Sequence, residues 1–271
     1  MNVPLSIVIP AFNEAERLGN SLETILAYLK RENVSAELIV VDDGSSDSTA
    51  EVAEKVFADY PSDVARVIRY EQNRGKGFAV RTGMLASRGD VALFSDADLS
   101  TPIEELTKLI KPIERDEADV TFGSRALDRS LIGTHQPWRR EQSGKVFNFI
   151  VKLSTGLPFW DTQCGFKAFR MSTFRPLLDV MKIDRFGFDV EFLFVSNLAG
   201  LRLGEIAVRW NHCDGTKISV FRDSRRMFFE VREIRSNAKK GVYDAAISVV
   251  NQKAVGAKAN HKIEVGKTTA I

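Results

Sequence analysis

Asp96-Ala97-Asp98 places two carboxylates one residue apart, directly after the apolar run Val91 to Phe94. A buried strand ending there presents both acids at its C-terminal end, where open α/β sheets bind ligands. Such a pair offers hard oxygen ligands to Mg2+ or Mn2+, cations that keep several waters and are completed by substrate phosphates. Three further motifs close other strand-like runs: Pro10-Ala11-Phe12-Asn13-Glu14, Asp42-Asp43 and Ser124-Arg125. An isolated Asp-x-Asp is an ordinary solvated turn, but four such motifs at strand ends converge on one rim of a parallel sheet. The chain has neither a Gly-x-x-x-x-Gly-Lys-Ser/Thr loop nor a Gly-x-Gly-x-x-Gly turn, so backbone amides alone cannot cradle a phosphate there. A nucleotide diphosphate bridged to the carboxylates by a divalent cation is the expected ligand.

The elements that must hold this rim read as strands alternating with helices. Leu5 to Ile9 is a strand, followed by a helix from Ala15 to about Arg31 with Leu18, Leu22, Ile25, Leu26 and Leu29 at three- and four-residue spacing. Ala36 to Val41 and Arg66 to Tyr70 are strands flanking a helix that starts near Ser46 to Ser48 and ends near Ala58. The loop Gln72 to Gly77 leads into a helix through Phe78 to Ala86, and Val91 to Phe94 carries the acidic pair. Pro102 suits the first turn of a helix burying Ile103, Leu106, Leu109 and Ile110, and Asp119 to Gly123 is a fifth strand. The alternation predicts a mostly parallel sheet with right-handed crossovers. Past Ser124 the regularity breaks, with helices expected over Glu141 to Ser154, Phe188 to Leu198 and Asp223 to Lys240, and strands over Gly165 to Arg170 and Gly204 to Trp210. A single domain over residues 1–245 follows, with 246–271, short of large apolar residues, expected as a disordered tail.

At 271 residues, 44% hydrophobic and 27% charged, the chain can bury a sizeable core. Its formal net charge of +2 gives no reason to expect nucleic acid as a partner. Cys164 and Cys213 lack zinc or Cys-x-x-Cys spacing, Cys164 reads as a packed thiol, and His135, His212 and His261 are too scattered to ligate a metal together. The strand-like start at Leu5 leaves no room for a leader, and no stretch approaches the ~20 apolar residues of a spanning helix, so any membrane role is expected to be peripheral.

The motifs Pro10 to Glu14, Val41 to Asp47, Asn73-Arg74-Gly75-Lys76-Gly77 and Asp96-Ala97-Asp98 resemble, in order and spacing, those of family 2 glycosyltransferases of the GT-A fold. In the second half, Gly123-Ser124-Arg125, Asp161 to Lys167, Phe188 to Glu191 and Asp214 to Lys217 are similar to the polyprenyl-phosphate branch, above all the dolichyl-phosphate β-glucosyltransferases, with the dolichyl-phosphate mannosyltransferases as further kin. The resemblance implies an α/β, Rossmann-like sheet flanked by helices, a nucleotide-sugar half over 1–125 and an acceptor half over 126–245. It implies that Pro10, Phe12, Glu14, Asp42 and Asp43 hold the nucleoside, that Lys76 contacts the donor, and that Asp96 contacts nucleotide and metal. Asp98 would be the principal ligand of Mg2+ or Mn2+, with Ser100 near a third position. Arg125 and Lys217 would bind phosphates of donor or acceptor, and Arg139, with Arg140 and Lys145 behind it, the acceptor phosphate.

The implied reaction is inverting transfer of glucose from UDP-glucose to a polyprenyl phosphate, with mannose from GDP-mannose as the rival substrate. Asp189 separates two chemistries. An acceptor hydroxyl needs a carboxylate base at about this place, whereas a lipid phosphate is already an anion and attacks without one. Asp189 is therefore either that base or a group that orients cations around the acceptor, if it is more than a solvated helix start. A nucleotide-sugar-binding module without catalysis is the non-enzymatic alternative, against which both intact acids argue. The stretch Val146, Phe147, Phe149, Ile150, Val151 and Leu153, beside Trp138, Phe159 and Trp160, reads either as core or as an interfacial helix, with arginines of the last helix facing anionic lipid. A peripheral position on the cytoplasmic face of a membrane is the corresponding expectation.

Overall fold

Continuous apolar runs make the central strands, because a sheet covered on both faces by helices has no solvent side on which polar residues could alternate. The computed structural model describes residues 4–134, 138–213 and 220–252. In chain order it forms β1 (Leu5–Ala11), α1 (Ala15–Arg31), β2 (Ala36–Asp42), α2 (Thr49–Phe57), β3 (Ala65–Arg69), α3 (Lys76–Ala86), β4 (Val91–Ser95), α4 (Leu106–Glu114) and β5 (Val120–Ser124). There follow β6 (Ile132–Thr134), α5 (Trp138–Thr155), β7 (Phe166–Arg170), α6 (Met171–Leu178), α7 (Phe188–Leu198), β8 (Leu203–Ala207), β9 (Trp210–Asn211) and α8 (Val220–Lys239). Residues 244–252 are also helical, and Tyr243, Ala246 and Val250 are buried in the core. The tail expected from 246 thus begins as packed helix, because alanine and valine at four-residue spacing suffice for one buried stripe; 253–271 lie outside the described residues.

The seven-stranded sheet has the order β3-β2-β1-β4-β7-β5-β8. β1 pairs in parallel with β2 and β4, and β2 with β3, as expected, but β7 inserts antiparallel between β4 and β5. This reversal brings the start of β7 to the rim formed by the ends of β1, β2, β4 and β5, and with it the loop before Phe166. The final strand read from sequence is split. Leu203 to Ala207 pairs in parallel with β5, whereas Trp210 and Asn211 leave the sheet to pair with β6. The helix over Met171 to Leu178, carrying Pro176 inside it, was not legible from periodicity.

Two apolar layers cover the faces. One gathers Leu18, Leu22 and Ile25 of α1 with Leu106 and Leu109 of α4, and the other gathers α3, α6, α7 and α8 around Phe94, Phe169, Phe188 and Phe192. α5 divides its apolar residues between two fates: Phe147 and Val151 are buried, but Phe149 and Leu153 stay 63% and 70% exposed.

Candidate active site

The rim begins with a lock between its first two loops. Asn13 adopts a left-handed φ of 54°, a conformation its short polar side chain tolerates. Its backbone N–H donates to Ser45 Oγ at 2.8 Å, its Oδ1 accepts from the Ser46 N–H at 2.8 Å, and Glu14 N–H donates to Thr49 Oγ1 at 2.7 Å. Asp42 is fully buried, accepts from Ser45 N–H at 3.0 Å and faces Arg69, so it braces this loop from below. Glu14 carries its own cation, pairing with Arg17 one turn along α1.

Asp43 organises the third loop. Its Oδ1 accepts from Arg74 N–H and its Oδ2 from Gly75 N–H, each at 2.8 Å, with Asn73 Nδ2 adding a bond at 2.9 Å. Burial pushes the Asp43 carboxyl up from its ordinary range, against those donors. Gly75 has φ of 112° and lies against the backbone of Asp184, so no side chain fits at 75.

Beyond it, Lys76 extends its ammonium to within 2.5 Å of Asp96 Oδ1. Burial disfavours that charge, but Asp96, Asp189 and Asp98 outweigh the cost and raise the lysine above its usual range. Asp96 is itself seated on Gly165: its N–H donates to the Gly165 carbonyl at 3.1 Å, and an added Cβ at 165 would overlap the carboxylate. Asp98 Oδ1 accepts from Ser100 N–H at 2.9 Å across Leu99, which is held at a φ of 47° that a leucine rarely adopts. Such backbone conformations concentrate where geometry serves function.

These groups share one cavity of about 590 Å³. Pro10, Phe12, Glu14, Asp43, Lys76, Asp96 and Asp98, all expected from sequence, line it. Asp42 and Ser100 do not; Ser100 is buried behind the turn and orients Asp98 through its backbone. Lys217 and the side chains of Arg139, Arg140 and Lys145 lie outside the described residues. Sequence reading missed Arg17, Arg185 and Phe186, which also line the cavity, and Arg226, read from sequence as one of the lipid-facing arginines of the last helix, lines it too. The signal for Arg17 was its place one turn after Glu14, but the 185–186 loop and α8 reach the cavity only through tertiary packing. Glu230 makes that link, accepting from Gly187 N–H at 2.7 Å and facing Arg226 at 3.4 Å.

Arg125 and Asp189 stand apart from the cavity lining. The Arg125 guanidinium makes a two-pronged pair with buried Asp161, Nε to Oδ2 at 2.6 Å and Nη2 to Oδ1 at 2.8 Å, and lies 5.6 Å from the centre of the Trp210 ring. Although burial opposes its charge, the guanidinium holds the Asp161 carboxyl down at about 2. Glu205 of β8 fixes Asp161 in turn, accepting from the backbone N–H of Trp160 and Asp161 and from the Ser124 hydroxyl. Asp189 pairs with Lys167 at 2.6 Å, and the same ammonium donates to the Cys164 carbonyl at 2.6 Å. Cys164 is buried and its thiol is pushed up to about 11 by burial, in keeping with a packing role.

The donor set suits a hard divalent cation. Asp96 and Asp98 both face the cavity, the count of protein carboxylates that Mg2+ or Mn2+ takes when substrate phosphates complete the shell. Among the described residues no group of three or more His, Cys, Asp or Glu side chains forms an all-protein cage, so other ligands would have to complete that shell.

The glycosyl transferase family 2 model matches residues 6–178. A dolichyl-phosphate beta-glucosyltransferase of Drosophila melanogaster is 38% identical over 232 residues, covering 81% of this chain and 71% of that protein. One of Dictyostelium discoideum is 33% identical over 252 residues, covering 89% and 77%. Among solved structures, the glucosyl-3-phosphoglycerate synthase of Mycobacterium tuberculosis in complex with Mn2+, UDP and glucosyl-3-phosphoglycerate superposes with a TM-score of 0.63 at 19% identity, over 85% of this chain and 78% of that one. That likeness is one of fold, and it agrees with the GT-A arrangement of the sheet. On the family match and the two relatives, the chain belongs to glycosyl transferase family 2.

Proposed function

We propose that the protein transfers glucose from UDP-glucose to a dolichyl-type polyprenyl phosphate, inverting the anomeric centre to give a β-linked lipid-phosphate sugar. The observation that carries this reading is the shared cavity, where Asp96 and Asp98 face Lys76, Arg185 and Arg226 at the C-terminal ends of the strands. The relatives supply the substrate class through their names. Pro10, Phe12 and the loop pinned by Asp43 form the nucleoside end. Mg2+ or Mn2+, held by Asp96 and Asp98, would supply Lewis acidity to the departing diphosphate. Lys76 adds a cation where the leaving group gains charge, an interaction stronger in the transition state than in the ground state.

The phosphate acceptor is favoured over a hydroxyl acceptor by the fate of Asp189. Its carboxylate is buried in an ion pair with Lys167 and is not among the groups lining the cavity, so it is badly placed to take a proton from a sugar alcohol. An acceptor phosphate needs no such step. The exposed Phe149, Leu153, Trp160 and Phe229, with Arg232 and Arg235 exposed on α8, support peripheral contact with a membrane surface, which suits an acceptor with an apolar polyprenyl chain; the cytoplasmic face is part of the proposal. No helix among the described residues is long and apolar enough to cross one.

The test is purified protein with Mn2+, a short polyprenyl phosphate, and either radiolabelled UDP-glucose or GDP-mannose. Label should enter the organic phase from UDP-glucose with wild type and not with Asp98→Ala. Label from GDP-mannose alone would reassign the donor, and none from either donor would overturn the proposal.

A further inference from the structure

Asp96 is crowded from two sides. The carboxylate is backed by Gly165, where an added Cβ would overlap both oxygens, and its backbone N–H is tied to the Gly165 carbonyl at 3.1 Å. From the other direction the Lys76 ammonium approaches the buried Oδ1 to 2.5 Å. Lys76 leaves the first turn of α3 from a loop with no slack: Asp43 pins the backbone of residues 74 and 75, and Gly77 lies against the Ile183 carbonyl and Phe188 Cβ. Only its flexible four-carbon stem can move.

We infer that Lys76 and a divalent cation compete for the Asp96 carboxylate, and that the diphosphate of the donor resolves the competition by giving the lysine a new partner in the same cavity. A cation arriving alone must push a monovalent charge off Asp96 while leaving it nearby, still repelling. A nucleoside diphosphate arriving with the cation supplies anionic oxygens within the stem's reach, so the repulsion becomes attraction. Metal and diphosphate therefore bind with positive coupling, and by linkage each strengthens the other by the same factor. The lysine thus makes the carboxylate pair selective for a metal–diphosphate complex over free metal. The inference rests on the proposed donor site, and adds to it a reason why metal and nucleotide enter together.

Mn2+ binding, followed by the electron paramagnetic resonance of the free ion, tests this without any turnover. For wild type, UDP should tighten Mn2+ binding by at least about 10-fold. In Lys76→Met, Mn2+ alone should bind about 10-fold more tightly than to wild type, with the UDP enhancement reduced by a similar factor. Lys76→Arg, which keeps the charge, should resemble wild type, and thermal melts of both variants report whether the fold is retained. A folded Lys76→Met that binds Mn2+ no more tightly than wild type would overturn the inference, even if UDP binding is intact. Failure of UDP to bind wild type would instead overturn the donor site, while the comparison of Mn2+ alone would still report on Lys76.

Discussion

Lys167 and Asp189 form an ion pair at 2.6 Å in which the lysine is fully buried and the aspartate nearly so. Each is costly to bury alone, and their removal from water is offset by their mutual attraction together with the bond from the ammonium to the Cys164 carbonyl. The pair fastens the start of α7 to β7.

Asp189→Asn should therefore act first on stability. Breaking a buried pair costs about 3–5 kcal/mol, and the double variant Asp189→Asn with Lys167→Met should recover part of it. Chemical denaturation measures the cycle. A single variant of wild-type stability that has lost transfer would instead make Asp189 a catalytic base.

Acid should strip the Arg125–Asp161 clamp of its contribution. Asp161 ionises at about 2 in the folded protein, below its ordinary value, so its stabilisation is complete above about pH 4 and is lost as pH falls toward 2. The window corresponds to ~2 kcal/mol. Between pH 5 and 3, wild type should lose more unfolding free energy than Asp161→Asn, which has no carboxyl to protonate there.

Gly165→Ala is expected to separate activity from folding. The new methyl would displace the Asp96 carboxylate, and transfer should fall by about 100-fold or more, the scale for losing a group that stabilises developing charge. The fold should lose only about 1–3 kcal/mol, typical of one methyl forced into a packed site. Steady-state rates beside thermal melts decide between this and a global defect.

Gly75→Ala should impair nucleotide binding. At φ of 112° an alanine is strained, and its Cβ would meet the Asp184 carbonyl, so the 73–75 loop must shift away from Asp43. We expect a stability loss of about 1–3 kcal/mol and weaker UDP binding by calorimetry.

Membrane attachment predicts that Phe149→Glu with Leu153→Glu reduces flotation with vesicles containing anionic lipid, while leaving the melting temperature within a few degrees, since both side chains are exposed. Equal flotation of wild type and variant would place any lipid contact elsewhere.

The sequence by itself determined the half of the site that follows strands. Glu14, Asp43, Asp96 and Asp98 sit at the ends of β1, β2 and β4, and a parallel sheet obliges such ends to share a rim, so apolar runs and acidic stops were enough to gather them. Lys76 was legible only through the resemblance of Asn73 to Gly77 to a family motif, since the loop that carries it is held by Asp43 and Asp184, both distant in the chain. Tertiary structure alone decided the rest. Nothing in the run Phe166 to Arg170 says that it inserts antiparallel, since a strand buried on both faces has the same pattern in either direction; that insertion seats Gly165 under Asp96 and Asp161 against Arg125. Likewise, the sequence offered Asp189 as a base or an orienting group, and only its pairing with a lysine of a neighbouring strand, 22 residues earlier, decided which charge it faces. Local pattern fixes where a strand ends; which charges meet there depends on contacts between distant segments, and these leave no period in the chain.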